Sequence, residues 1–263
     1  MKNISLTSLE AMKAAGEKFA VLTAYDASFA RLAELAGIEV VLVGDSLGNV
    51  VLGHESTVPV TMDDMCHHTL AVARGNSKSL LVADLPFMAY ASEAQALDNA
   101  AELMQAGAQM VKLEGGAWLE ETVQLLSERG IPVCAHLGLT PQSVHKMGGY
   151  RVQGKDDEAA AQILGDALLL QDAGADLLVL ECVPSPLAAR ISQSLHIPVI
   201  GIGAGPDTDG QVLVVYDILG ISPRQPRFSK NFLADAGSIQ GAMEAFAAAV
   251  RAGTFPDPEH SYK

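Results

Sequence analysis

The sequence predicts a closed barrel of eight parallel strands wrapped in helices, the (β/α)8 or TIM architecture, on three observations. One theme recurs along the chain: an amphipathic stretch, a glycine, then a short apolar strand that ends in a polar residue. These strands are continuously apolar, the pattern of strands covered on both faces, whereas half-exposed antiparallel strands alternate. The length of 263 residues suits a barrel of about 250 residues. No Pro/Ser linker or change in composition divides the chain, so residues 1–263 are expected to form a single barrel domain. A doubly wound open sheet is the alternative architecture.

Each element follows from local chemistry. The theme appears as LAELAGIEVVLVGD over 32–45, ELMQAGAQMVKLE over 102–114, LLSERGIPVCAH over 125–136 and LLLQDAGADLLVLE over 168–181. In these segments Gly37, Gly107, Gly130 and Gly174 stand where helices end in a left-handed residue, a conformation that glycine adopts without a Cβ penalty. Helix starts are marked at Thr61-Met62-Asp63-Asp64 and Ser92-Glu93-Ala94-Gln95, which read as capping boxes or near relatives. Leu97, Ala100, Ala101 and Met104 keep helical spacing after the second. The expected strands are Phe19–Thr23, Val40–Val43, Leu80–Ala83, Met110–Leu113, Val133–Ala135, Leu177–Leu180, Val199–Ile202 and Val212–Val215, alternating with helices in one uninterrupted series.

Charge and composition remove several classes of function. Seventeen Lys and Arg against 31 Asp and Glu leave a net charge of −14. Nucleic acid and anionic membrane surfaces, which need clustered cations, are therefore not expected partners. With 49% hydrophobic and 18% charged residues the chain can bury a large core. No signal-peptide core opens the sequence and no apolar run reaches membrane-spanning length. Cys66, Cys134 and Cys182 are odd in number and share no CxxC spacing, which argues against disulfides or a thiolate zinc site and for a reducing cytoplasm.

In a parallel barrel the C-terminal ends of all strands meet at one mouth, the usual active-site face. Here those ends carry Gly44-Asp45-Ser46, Asp84, Lys112 with Glu114, His136, Glu181, and Gly201-Ile202-Gly203-Ala204-Gly205. A lone Asp after a strand is often only the cap of the next helix. Four carboxylates in one cleft are different, because buried charge must be paired or bound to metal, and Lys112 alone cannot neutralise them. A divalent cation resolves this, and oxygen donors without Cys or clustered His select a hard ion such as Mg2+ over zinc. His136 is a supporting candidate that could equally be a structural imidazole.

Other features read more simply. Ser46 completes a Gly-x-Ser-x-Gly string at 44–48, but the string contains the candidate ligand Asp45, so a serine hydrolase is rejected. The GIGAG cluster at 201–205 could approach a phosphate or a flat ring, and tight packing explains it as well. Cys182 has no evident activating partner and reads as a small buried hydrophobe.

The segments GDSLGNVVLGHEST (44–57), LVADLPFMAY (81–90), MVKLEGG (110–116), HLGLTPQSVHKMGGYRVQG (136–154), LVLECVP (178–184) and IPVIGIGAG (197–205) together resemble the ketopantoate hydroxymethyltransferase family, in the family's order and over essentially the whole chain. Val214-Val215-Tyr216-Asp217 departs from it, Met-His being the pattern expected before the Asp. The resemblance implies a (β/α)8 barrel, a homodecamer, and Mg2+ surrounded by Asp45, Asp84 and Glu114, the last directly or through a water. It implies that Asp45, Ser46, Asp84 and Lys112 bind the substrate, with Ser46 and Lys112 on its carboxylate, and that Glu181 is the base. The implied reaction is hydroxymethyl transfer from 5,10-methylenetetrahydrofolate, a co-substrate, to 3-methyl-2-oxobutanoate through a Mg-stabilised enolate, giving 2-dehydropantoate in pantothenate synthesis.

Three alternatives remain at this point. Lys112 at a strand end could form the imine of a Schiff-base aldolase. A metal-dependent C–C lyase of the isocitrate-lyase-like type would use a catalytic cysteine in Lys-Lys-Cys-Gly-His, a segment absent from the sequence. A non-catalytic ligand-binding barrel would show an incomplete acid set.

Overall fold

The structure, a computed structural model, describes residues 3–222 and 224–263. Eight parallel strands close into a barrel in sequence order. They are β1 (Phe19–Thr23), β2 (Val40–Val43), β3 (Leu80–Asp84), β4 (Met110–Glu114), β5 (Val133–Gly138), β6 (Leu177–Glu181), β7 (Val199–Ile202) and β8 (Gly210–Leu213). The ladder of β1 to β8, with Val21 opposite Val212, seals the ring and excludes the open sheet.

Alternating strand residues serve two cores. Val21, Val40, Leu42, Val82, Val179, Ile200 and Val212 surround the barrel interior, together with Lys112 and Cys134. The residues between them, such as Leu22, Val41, Leu81, Val111 and Leu178, are buried as well, and the pleat turns them outward to the helices. There they meet a layer that includes Ala30, Ala33, Met65, Val72, Leu103, Leu126 and Phe246, all buried in the same core.

The helix-ending glycines behave as expected. Gly37, Gly107, Gly130 and Gly174 all have positive φ, between 77° and 110°, and each follows a helix end: Ala27–Leu35, Glu93–Gln105, Glu120–Glu128 and Asp157–Asp172. Thr61 forms a complete capping box with Asp64 at the start of Met62–Gly75. At Ser92 the box is a relative of that pattern: the Ser92 hydroxyl accepts from the Gln95 N–H, while the Gln95 side chain accepts from Ala91 N–H.

Two expectations are corrected. Strand β8 lies two residues earlier than Val212–Val215, because Val215 begins a short helix, Val215–Ile218, with its N–H bonded to the Thr23 hydroxyl. The strand and helix alternation also breaks between β7 and β8, where residues 203–209 return to the next strand with no helix. Gln211 replaces the missing cover, donating to the Gly205 carbonyl and the Thr208 hydroxyl of that connector. At the opposite end of the barrel, Asp209 accepts from Lys13, Ser192 and the Val199 N–H, tying the N-terminal helix Leu6–Ala15 to the ring. Among the described residues no helix is long and apolar enough to cross a membrane.

Candidate active site

The pleat carries the interior rows up to the mouth, and the rows of β3, β4, β5 and β6 end in an ionisable residue. Val82 is followed two residues on by Asp84, Lys112 by Glu114, Cys134 by His136 and Val179 by Glu181, so all four terminal side chains point inward. Strand register then chooses neighbours: Asp84 stands opposite Lys112, Glu114 opposite His136, and Gly138 opposite Glu181. Asp84, Glu114 and Glu181 lie inside the strands, one position further than expected from their apolar runs, so backbone ladders hold them.

Asp45 joins from the turn after β2. Its N–H donates to Asp84 Oδ2 at 3.0 Å. A Cβ at Gly44 would lie 2.8 Å from Ser46 Oγ, so a larger residue there would have to displace the Ser46 hydroxyl. The Ser46 hydroxyl pairs with the Tyr25 hydroxyl at 2.9 Å, at the edge of the cluster.

All the sequence-predicted site residues therefore converge. Lys112 Nζ lies 3.2 Å from Asp84 Oδ1 and 3.7 Å from Glu114 Oε1. His136 places Nδ1 3.3 Å from Glu114 Oε1 and Nε2 3.3 Å from Glu181 Oε2. Asp45, Asp84, Lys112, Glu114 and His136 are buried, and the Glu181 side chain is somewhat more open, at 12% exposure.

Sequence reasoning missed Gln142, which the structure puts at the centre. It sits on the short turn Pro141–Ser143 after β5. Its Nε2 donates to Asp45 Oδ2 at 2.9 Å and to the Leu85 carbonyl at 3.0 Å. Its backbone N–H donates to Glu114 Oε2 at 3.0 Å, and its Oε1 accepts from the Tyr90 hydroxyl. The only signal in the sequence was a neutral amide inside the HLGLTPQ segment, which by residue type reads as a loop residue.

Electrostatics separates the acids. Burial, with the charges of Glu114 and Asp84, pushes the Asp45 carboxyl well above the usual range, against Lys112 and Gln142. Burial and Glu114 also raise Asp84, partly offset by Lys112. Glu114 goes the other way: burial would raise it, but His136, Lys112 and the Gln142 N–H together hold it low. Burial and Lys112 would lower His136, yet Glu114 and Glu181 outweigh them and bring it to about 9. The imidazolium form, with Nδ1 facing Glu114 and Nε2 facing Glu181 without a hydrogen bond, is therefore favoured. Its Nδ1 is also 3.0 Å from Lys112 Nζ, whose other neighbours are Asp84 and Glu114. Burial would lower Lys112, but Asp84, Glu114 and Asp45 keep it above its ordinary value.

The donor set suits a hard cation. Asp45 is the carboxyl least able to ionise unaided, which marks a shortage of positive charge beside its oxygens, while Asp84 Oδ1 has no hydrogen bond and faces only the Lys112 ammonium at 3.2 Å. Among the described residues no group of three or more Asp, Glu, His or Cys side chains is placed so that it could hold a metal ion. Asp45 is held through Oδ2 by Gln142 and Asp84 by the Asp45 N–H and Lys112, whereas Glu114 is engaged by Gln142, His136 and Lys112 together.

The remaining candidates take structural roles. In the GIGAG segment a Cβ at Gly201 would meet Thr208, one at Gly203 would meet Tyr262 and Phe228, and one at Gly205 would meet Ser185. These glycines permit the short β7–β8 return and the docking of the C-terminal residues, not a phosphate cradle. Cys182 is buried, and burial followed by the Glu181 charge pushes its thiol up. All three cysteines are free.

Comparison with known proteins gives a consistent picture. The sequence profile of the family described as ketopantoate hydroxymethyltransferase matches residues 3–258. A 3-methyl-2-oxobutanoate hydroxymethyltransferase of Marinobacter nauticus is 59% identical over 261 residues, covering 99% of each chain. The same-named protein of Saccharophagus degradans is also 59% identical, over 99% of this chain and 97% of its own. Among solved structures, a phosphonopyruvate hydrolase complex with oxalate and Mg2+ superimposes with a TM-score of 0.63 at 14% identity, over 98% of this chain and 93% of that one. A 2,3-dimethylmalate lyase of the PEP mutase/isocitrate lyase superfamily gives 0.55 at 18% identity, over 79% and 80%. At such identities these two likenesses concern the fold.

Proposed function

The chain belongs to the ketopantoate hydroxymethyltransferase family and is a hydroxymethyltransferase, and from that premise we propose that it transfers the hydroxymethyl group from 5,10-methylenetetrahydrofolate to 3-methyl-2-oxobutanoate. The product is 2-dehydropantoate, on the route to pantothenate and coenzyme A. The balance consumes one water. A bond forms between C3 of the oxo acid and the donor methylene, both methylene C–N bonds break, and the water oxygen becomes the new hydroxyl. The C3 proton and one water proton end on the two folate nitrogens.

Asp45 and Asp84 would hold Mg2+, with Glu114 acting through a water because its own oxygens are already engaged. The ion would supply Lewis-acid polarisation of the ketone oxygen, which makes the neighbouring C–H acidic. Ser46 and Lys112 hold the substrate carboxylate at the edge and floor of the cluster. Glu181, the most open of the acids, takes the C3 proton, a role in which a positioned base contributes roughly 10²–10⁴-fold. His136 faces that carboxylate from 3.3 Å. A cytoplasmic homodecamer forms part of the same proposal, supported by the family resemblance alone.

The observation that carries this reading is the charge shortage at the buried Asp45, beside Asp84, with Glu181 held separately by His136. The Schiff-base route is disfavoured because Lys112 is kept protonated by three acids, and an ammonium is no nucleophile. Solvent deuterium exchange at C3 of 3-methyl-2-oxobutanoate, without folate, tests the proposal. Exchange that needs Mg2+ and leaves no borohydride-trapped adduct is expected; exchange that survives chelation, or a trapped lysine adduct, would overturn it.

A further inference from the structure

Glu181 ends β6, and the chain leaves it by a strained turn. Glu181 stands opposite Ile202 of β7. The next residue, Cys182, has φ of 48°, a left-handed backbone that a residue with a Cβ adopts only where its surroundings impose it. The near end of the turn is tied twice. The Cys182 N–H donates to the Ile202 carbonyl at 2.8 Å, and the Cys182 carbonyl accepts from the Gln153 N–H at 2.9 Å.

The far end of the turn has no local tie. Helix Ser185–Ser194 starts after Pro184, which offers no side-chain cap, so its first N–H needs an acceptor from elsewhere. That acceptor lies 77 residues on in the sequence. The Tyr262 carbonyl takes the Ser185 N–H at 2.9 Å and the Ser185 hydroxyl at 2.8 Å.

The segment that presents this carbonyl is itself fixed. Asp257 accepts from the Glu259 and His260 N–H groups, and its carbonyl accepts from the Ser261 hydroxyl. Arg227 donates to the Glu259 carbonyl at 3.1 Å and places its guanidinium carbon 5.4 Å from the centroid of the Tyr262 ring, a cation–π distance. The ring rests on Gly203, where a Cβ would come within 3.0 Å of it. Gly203 directly follows Ile202, so the Tyr262 ring and Glu181 brace against adjoining positions of β7.

We propose that Tyr262 is a positioning residue for Glu181: its ring, seated on Gly203 and Arg227, holds the carbonyl that pins Ser185 and so fixes the turn 182–184 from which the Glu181 carboxylate is aimed. This inference rests on the reaction proposed above, in which Glu181 takes the C3 proton.

Solvent deuterium exchange at C3 of 3-methyl-2-oxobutanoate with Mg2+ reads the effect directly. A chain ending at Ser261 should exchange about ten- to a hundredfold more slowly, since misplacing a reacting group by about an ångström costs that much. The oxo acid concentration that half-saturates exchange should not change, because the proposed binding groups stand on β2, β3 and β4 and their loops. Tyr262→Ala, which keeps the carbonyl but not the ring, should show the same split, and it decides the matter if the shortened chain does not fold. Tyr262→Phe keeps the ring and should exchange at the wild-type rate. Wild-type exchange in Tyr262→Ala would overturn the inference. So would a loss of rate matched by an equal loss of oxo acid binding, the mark of a merely structural role. Glu181→Gln is the control: wild-type exchange there would remove the base itself, whereas slow exchange there beside an unaffected Tyr262→Ala would overturn this inference alone.

Discussion

Gln142 Nε2 donates to Asp45 Oδ2 at 2.9 Å across 97 residues of sequence. One neutral amide from the loop after β5 thus fixes a carboxylate from the loop after β2, while its N–H fixes Glu114. Replacing Gln142 with Ala should strand Asp45 Oδ2 and the Leu85 carbonyl. Each unsatisfied buried group costs about 1–3 kcal/mol, so a clear fall in melting temperature is expected, together with weaker Mg2+ binding. Unchanged stability and metal affinity, by thermal melts and calorimetry, would refute this role.

Glu181→Gln keeps the size of the side chain and its position beside His136 but removes the basic oxygen. The expected result is kcat lowered by about 10²–10⁴-fold with little change in oxo acid affinity. A variant that loses binding and keeps turnover would place Glu181 among the binding groups.

Asp45→Ala removes one of the two carboxylates proposed to hold Mg2+. Binding of 3-methyl-2-oxobutanoate should then lose its dependence on Mg2+, and the wild-type protein treated with a chelator should behave in the same way. Calorimetric titration with and without chelator decides the matter; oxo acid binding that survives chelation unchanged in wild type would count against the metal assignment.

The His136 imidazole contributes a pH-dependent part of the stability. Its folded pKa, about 9, lies above the ordinary 6.5, so protons bind the folded state more tightly than the unfolded one. That contribution is fully present below about pH 6.5 and is lost as pH rises through about 9. Its size is on the order of 3 kcal/mol. Denaturant unfolding of metal-free protein between pH 6 and pH 10 should show this slope, and His136→Gln should flatten it.

Gly138 has φ of 89°, and a Cβ there would lie 2.3 Å from the Glu181 carbonyl. Gly138→Ala should therefore displace the end of β6 and with it the base, lowering kcat while costing about 1–3 kcal/mol of stability. Activity and unfolding free energy measured on the same preparation test both halves.

The sequence alone determined the barrel and the inward row of acids. Apolar runs that never alternate require cover on both faces, glycine ends each preceding helix, and a two-residue pleat turns the polar residue after Val82, Lys112, Cys134 and Val179 toward the axis. Tertiary structure decided what those local rules do not encode. Strand register set Asp84 beside Lys112 and Glu114 beside His136, and register is a property of pairs of strands. Packing also let a bare connector, satisfied by Gln211, replace the helix between β7 and β8, and it brought Gln142 to Asp45. The reason is the same each time: a side chain's partner across the barrel mouth depends on loop paths and burial from distant parts of the chain, to which neither periodicity nor residue type responds.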